Sequence, residues 1–227
     1  MDRRRFLNSG LAAGAVAAAE LGTGVTAAED KRVKIVGVSC SPRKGKTTAA
    51  AVLVALNAAK AVSPRIDVEL VDLGGLDITG WQGGAKPGDG MSMVDDDFDV
   101  LLPKFQDPAL GGLIIGSPCY FRAMSALCKA FLERLAVLRT PRLLLADKPV
   151  GALSLGAYRN GGQELVIEQI LTAMLCHEVL AVGGKPAAHQ GATLWNAYND
   201  DITKDEFGID SARKLGARVA EAALKLP

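Results

Sequence analysis

What this 227-residue sequence has least of is paired cysteine, histidine and surplus charge, and each shortage closes off a class of function. Its four cysteines, Cys40, Cys119, Cys128 and Cys176, are widely spaced with no C-x-x-C pair, which indicates neither a zinc site nor a disulfide framework. Cys128 and Cys176 fall within apolar helical patterns, where a thiol behaves as a small buried hydrophobe. The two histidines, His177 and His189, have no carboxylate or cysteine at ligand spacing and read as structural. A formal net charge of +1 gives no cationic surplus for a nucleic-acid backbone. No Lys/Arg stripe interleaved with aromatics supplies one locally, so nucleic acid is not an expected partner.

What is present begins with a distinct N-terminal stretch. Arg3-Arg4-Arg5-Phe6-Leu7 precedes an Ala/Gly-rich run to Ala19 and then Val25-Thr26-Ala27-Ala28. That is the order of a charged n-region, an apolar h-region and a small-residue cleavage site. The apolar run is too short, and too interrupted by Gly10, Gly14 and Glu20, to span a bilayer, and no later segment could do so. Residues 1–28 therefore read as a removable export leader. Arg3-Arg4-x-Phe6-Leu7 resembles the core of a twin-arginine signal, from which Asp2 and Asn8 depart. Cleavage after Ala28 would remove three arginines and two acids and leave the mature chain formally neutral. An exported, periplasmic protein is the expectation; a cytoplasmic one follows if the leader is not used.

From Lys31 onward, short β-branched runs alternate with longer segments of 3.6-residue period. Strands are expected at 33–38, 66–71, 113–116, 150–155 and 179–182, and helices at 47–61, 95–106, 125–138, 163–176 and 209–226. The alternation implies one α/β domain over 31–227, a doubly wound parallel sheet of five strands in the flavodoxin-like order 2-1-3-4-5 with helices on both faces. That order places a ligand at the carboxyl ends of strands 1 and 3, where the winding reverses. Residues 74–93 and 183–206 read as long irregular excursions. Asp95-Asp96-Asp97, opening the second helix, would complement its dipole and require no metal.

Strand 1 runs directly into Ser39-Cys40-Ser41-Pro42-Arg43-Lys44-Gly45-Lys46-Thr47-Thr48, which offers hydroxyls, three cations and the unpaired amides of a helix start. These are the parts of an anion cradle. Gly45-Lys46-Thr47 matches the end of a triphosphate P-loop, but the first glycine of that motif would fall at Cys40, and Pro42 withdraws an amide. A terminal monophosphate needs fewer donors; an ordinary capped helix start is the plain alternative. Strand 3 leads into Gly116-Ser117-Pro118-Cys119-Tyr120-Phe121-Arg122-Ala123-Met124-Ser125, where a planar ring could lie or where the aromatics could pack inward. Strand 4 leads into Gly156-Ala157-Tyr158-Arg159-Asn160-Gly161-Gly162-Gln163-Glu164, whose glycines admit close backbone approach and whose Asn160 can start a helix. A plain turn explains those glycines equally well. Trp195 and Tyr198 could cover a ligand, a partner or the core.

Together the three loops resemble the NAD(P)H-dependent FMN reductase and iron–sulfur flavoprotein family of flavodoxin-like proteins. The likeness rests on Ser41-Pro42-Arg43 with Thr47-Thr48, on 116–121 with Met124-Ser125-Ala126 and Lys129-Ala130-Phe131, on 159–164, and on Asp210-Ser211-Ala212-Arg213 with Leu215-Gly216; it covers most of 33–226. It implies FMN with its phosphate on Ser39, Ser41, Arg43, Lys46, Thr47 and Thr48. It further implies a ring and ribityl chain against Pro118, Cys119, Tyr120, Phe121 and Ser125, with the ring's other edge at Tyr158, Arg159 and Gly162. Iron–sulfur members carry a compact cysteine cluster in the segment corresponding to 76–94, where this chain has no cysteine. Without thiolates that iron–sulfur cluster has no ligands, so a flavin-only member is expected.

The same resemblance implies an oxidoreductase that takes electrons from NAD(P)H, or from a quinol or redox protein if exported, and passes them through FMN to a quinone-like or other small acceptor. It assigns no acid–base residue, and it implies a homo-oligomer, dimer or tetramer. The alternative is a flavodoxin-type electron carrier, which the neutral mature charge and the long loops disfavour. Cys40 and Cys119 fall on loops expected to adjoin one ligand, either as redox-active thiols or as incidental ones.

Overall fold

The computed structural model of the chain describes residues 31–81, 95–186 and 188–226. The expected leader and most of the 74–93 excursion lie outside the described residues.

β1 (Val33–Ser39) is rich in the β-branched residues that suit a pleated, buried position. It pairs in parallel with β2 (Ile66–Asp72) on one side and β3 (Leu110–Tyr120) on the other, which sets Ser39 level with both Asp72 and Gly116. β5 (Pro149–Gly156) continues the parallel sheet beyond β3. Side chains alternate across a strand, so Val36, Val38, Leu113, Ile115, Val150 and Ala152 enter one buried cluster while Ile35, Ile114 and Leu153 enter the other. α3 (Ala126–Arg134) and α4 (Gln163–Leu175) cover the first face; α1 (Thr47–Lys60) and α5 (Glu206–Ala223) cover the second. The last two approach closely, because Ala51, Ala55, Ala212 and Ala220 are small and a Cβ at Gly216 would fall on the carbonyl oxygen of Ala55.

The sheet has seven strands with the path β2-β1-β3-β5 and then β6 (Leu180–Ala181), not five in the order 2-1-3-4-5. Two short pieces account for the difference. β3 runs beyond the sheet to Tyr120 and turns back into β4 (Ala123–Met124), its antiparallel partner. The edge beside β5 is shared by β6 (Leu180–Ala181), which pairs with Pro149 and Val150, and β7 (Ala192–Trp195), which pairs with residues 153–156. The 183–206 excursion thus contains a strand. Ala192-Thr193-Leu194-Trp195 is too short for its period to register in the sequence.

The helix expected over 95–106 shrinks to the single turn α2 (Leu102–Phe105). Asp95-Asp96-Asp97 therefore open no helix. Asp96 accepts the amides of Thr79 (2.9 Å) and Phe98 (3.0 Å) and pairs with the Arg134 guanidinium, and both of these side chains are only 1% exposed. Arg134 also lies over the Phe98 ring, 4.7 Å from its centroid. Asp97 accepts from the amide of Asp77 at 2.8 Å. The acids thus bridge two backbone segments to α3. Cys176 also departs from expectation, being exposed, whereas Cys128 is buried. The buried stripe of α4 is Val166, Ile167, Ile170 and Met174, and its period passes over 176 and reaches His177. Among the described residues no helix is long and apolar enough to cross a membrane.

Removing one partner of a buried ion pair strands the other charge. Arg134→Met is expected to lower the unfolding free energy by about 3–5 kcal/mol, read from urea denaturation midpoints. Lys34–Asp107, a pair at 2.5 Å whose side chains are 26–27% exposed, should contribute about 1 kcal/mol or less on the same assay. His177 supplies a pH signature. Burial first, and the positive charge of Arg139 second, lower its pKa from 6.5 to about 4, so the fold holds it neutral while the unfolded chain protonates. Stability should be unaffected by this group above pH 6.5, fall as pH drops below it, and level off beneath about pH 4. Thermal melts of His177→Gln across that window should show a flatter pH dependence than the parent.

Candidate functional site

The winding reverses between β1 and β3, and the carboxyl ends of β1, β3 and β5 surround a cleft of about 490 Å³. Arg43, Thr47 and Thr48 form one wall; Pro118, Cys119, Tyr120 and Phe121 form a second; Leu155, Gly156 and Ala157 lie at its base, and Asn196, Tyr198 and Asp200 close the remaining side.

The first wall is a loop braced from below. The Cys40 amide donates to Gly116 O (2.8 Å), and Ser125 Oγ donates to Cys40 O (2.6 Å). Asp72 accepts the amides of Gly45 (2.7 Å) and Gly74 (3.2 Å), fixing the loop while Gly45 takes the left-handed φ of 67°. α1 starts with Lys46 at its N-cap, no side chain capping it and no acid in its first turn, which leaves its positive end uncompensated. Ser39 is wholly buried and Ser41 nearly so; Ser41 Oγ accepts from the Arg43 amide at 3.2 Å. Neither lines the cleft. Arg43 Nη1 meets Asp200 Oδ1 at 2.5 Å and Lys46 Nζ meets Asp200 Oδ2 at 3.4 Å. The Arg43 guanidinium holds the Asp200 carboxyl below the usual carboxylate range, and Lys46 adds to the effect.

The second wall is a two-residue hairpin. Phe121 and Arg122 both have positive φ, 52° and 64°, as the primed turn between right-twisted strands demands. Non-glycine residues in that region carry a cost of about 1–2 kcal/mol each. Phe121 is fully exposed at the rim as a result. Ser125 does not face the cleft: it is buried, accepts the Cys128 amide as the cap of α3, and donates its own amide to Ser117 Oγ (3.0 Å). Cys119 does line the cleft and donates to Gly161 O at 3.3 Å. Burial raises its pKa against the smaller opposing effect of Arg122, which keeps it a thiol at neutral pH. Cys40 points elsewhere. Its buried thiol hydrogen-bonds that of Cys128, and burial first and this bond second push its pKa far up. The two cysteines expected beside one ligand are therefore divided between the cleft and the core.

In the third loop Gly162, with φ 105°, starts α4, and no side chain caps it; Asn160 does not serve. Gln163 accepts the Gly161 amide at 2.8 Å and donates to Leu194 O at 3.1 Å, tying this loop to β7. Arg159 turns away from the main cleft. It pairs with the buried carboxylate of Asp205, lies over the Trp195 and Phe207 rings at 5.5 and 5.7 Å, and with Gly162 borders a neighbouring cleft of about 480 Å³. Tyr158 packs edge-on against Tyr198, centroids 5.3 Å apart, and the bond between their hydroxyls raises the Tyr198 pKa. Asn196 and Asp200 carry no sequence signal of their own, since only the β7 pairing brings their loop to the cleft. Of the seven non-glycine residues with positive φ among the described ones, five (Phe121, Arg122, Ala197, Tyr198 and Asp200) lie in the two loops flanking the cleft. Such concentration of strain is characteristic of binding sites.

The profile of a family described as NADPH-dependent FMN reductase matches residues 33–193. An iron–sulfur flavoprotein of Methanocaldococcus jannaschii is 36% identical over 191 residues, 83% of this chain and 96% of that protein. An NAD(P)H dehydrogenase (quinone) of Caulobacter vibrioides is 29% identical over 147 residues, 57% of this chain and 72% of that protein. Among solved structures, a WrbA-like flavodoxin of Agrobacterium tumefaciens superposes with a TM-score of 0.57 at 16% identity, covering 86% of this chain and 98% of that one, a likeness of fold. A switch-point cleft with a cationic loop at one end is thus joined to a sequence match over residues 33–193, well over half of the chain, and on those grounds the chain belongs to the NADPH-dependent FMN reductase family of flavodoxin-like oxidoreductases.

Proposed function

We propose that the 490 Å³ cleft binds FMN and that the chain uses it to pass electrons to a quinone-like or other small acceptor. The volume suits a small-molecule site. The observation that carries the reading is the polarity of the cleft: Arg43, Lys46 and the uncapped start of α1 stand at one end, and Pro118, Tyr120 and Phe121 at the other. A terminal phosphate suits the first, because outward helix amides and an arginine are its usual partners. A planar apolar ring suits the second.

In this reading Thr47, Thr48 and Arg43 hold the phosphate, the 118–121 hairpin and the 156–158 backbone border the ring, and Tyr198 and Asn196 restrict solvent from the open side. Bound FMN supplies the redox chemistry, taking electrons from one reactant and delivering them to the next. The residues present supply position and exclusion, and none is needed for proton transfer at a stated atom. A flavin-only protein is supported by the absence of cysteine from 76–94, although relatives are named iron–sulfur flavoproteins. Among the described residues no group of three His, Cys, Asp or Glu could hold a metal. The donor is NAD(P)H; if residues 1–28 export the chain, a quinol or a redox protein takes that role. Assembly as a homo-oligomer belongs to the same proposal.

The purified protein should show the visible absorption of an oxidised flavin, bleach on adding NADPH under anaerobic conditions, and turn over NADPH with menadione. A colourless protein that takes up no added FMN would sink the reading. Flavin-loaded protein inactive with every small acceptor would instead be an electron carrier. Arg43→Gln should weaken FMN binding about tenfold, or about 1.4 kcal/mol, and leave riboflavin binding unchanged, as followed by quenching of flavin fluorescence.

A further inference from the structure

The loop after β7 does more than border the cleft. Asp200 presents one carboxylate oxygen to Arg43 at 2.5 Å and the other to Lys46 at 3.4 Å, so a built-in anion sits on two of the three cations of the phosphate loop. The loop is anchored at its two ends, by Asn196 at the start and by buried Ile202 and the α5 cap Asp205 at the finish, and its tip lies between them. Asn196 donates its amide to Gly156 O (3.0 Å) and its side chain to Thr47 Oγ1 (3.5 Å), while its Oδ1 accepts the Tyr198 amide (3.1 Å). Beyond it, Ala197, Tyr198 and Asp200 all take positive φ, 47°, 64° and 48°, without a glycine among them. The Asp200 side chain at the tip of this unfavourable segment is held by the two ion pairs, whose side chains are 40–49% exposed. Exposed pairs of that kind are weak and readily exchanged.

We infer that Asp200 is an internal competitor for the flavin phosphate: its carboxylate occupies Arg43 and Lys46 in the free protein, and FMN binds by displacing it. The inference rests on the FMN reading above. A phosphate dianion offers more charge and more acceptor oxygens than one carboxylate, so it takes the arginine fork in preference. Displacement relieves the strained tip and moves Tyr198, whose ring lines the cleft and packs on Tyr158. Binding of the phosphate is thereby linked to opening of the ring end. Asp200 sets how tightly the site discriminates a phosphorylated flavin from an unphosphorylated one.

The test is a titration of flavin-free protein with FMN, riboflavin and inorganic phosphate, comparing the parent with Asp200→Asn and Asp200→Ala. Flavin fluorescence quenching reads the flavins, and shift of the melting temperature reads phosphate. Both variants should bind FMN about three- to tenfold more tightly, leave riboflavin affinity unchanged, and gain a larger melting shift from phosphate. FMN affinity that is unchanged or lower in both variants would overturn the inference while leaving the cofactor reading standing, since Asp200 would then be a bystander or a clamp. An equal gain for riboflavin would overturn it as well, because the effect would not involve the phosphate. Failure of parent and variants alike to bind FMN would remove the cofactor reading itself.

Discussion

Everything at the cleft depends on the parallel pairing of β1 with β3. That pairing sets Ser39 beside Gly116, and the Cys40 amide prolongs it by one more bond to Gly116 O. From this shared edge the chain leaves β1 to one side and β3 to the other, and the gap between the departing loops is where a ligand can enter. Ser125 closes the gap from beneath by capping α3 and bonding Cys40 O in the same stroke. Small residues make the edge possible: a Cβ on Gly116 would press into Val52 and Leu153. The cationic loop and the aromatic hairpin are thus joined at a buried seam.

Above that seam the loops are less relaxed. Phe121 and Arg122 on one side, and Ala197, Tyr198 and Asp200 on the other, take backbone conformations that only tertiary constraint can hold. The hairpin gains a fully exposed phenyl ring at the rim; the opposite loop gains a carboxylate laid across two cations. Rigid base and strained rim are complementary, because a site must be pre-shaped for the common part of its ligand yet admit and release it.

The lower half of the molecule is stabilised differently. Where the iron–sulfur relatives are named for a cluster, this chain has no cysteine between 76 and 94, and the segments on either side of the undescribed stretch are tied to α3 by Arg134, Asp96 and Asp97 and by the Trp81 amide bonding Glu133 (2.8 Å). A buried ion pair is a costly anchor unless its remaining valences are filled; here Asp96 accepts two backbone amides in addition to the guanidinium, while Arg134 Nε and Nη2 have no hydrogen-bond partner. The apolar cluster of Phe98, Phe105 and Phe131 seals it from water.

By itself the sequence determined the alternation of strands and helices, the cationic loop after β1, and the glycine and aromatic runs after β3 and β5, because each of these is written in consecutive residues with a period or a motif. Tertiary structure alone decided the rest. The edge strand is split because β5 accepts two short partners separated by ten residues, and neither is long enough to show a period. Asp95-Asp96-Asp97 reads as a helix start until Arg134, far along the chain, claims Asp96 in the core. Arg159 reads as a ring-edge residue until Asp205 draws it to another cleft; Ser39 reads as a phosphate ligand and Ser125 as part of the ring's lining, and both are buried, Ser39 in β1 and Ser125 as the cap of α3. Asn196 and Asp200 reach the cationic loop after β1 across some 150 residues of sequence, a distance closed only when β7 pairs with β5 and lays its following loop over Arg43.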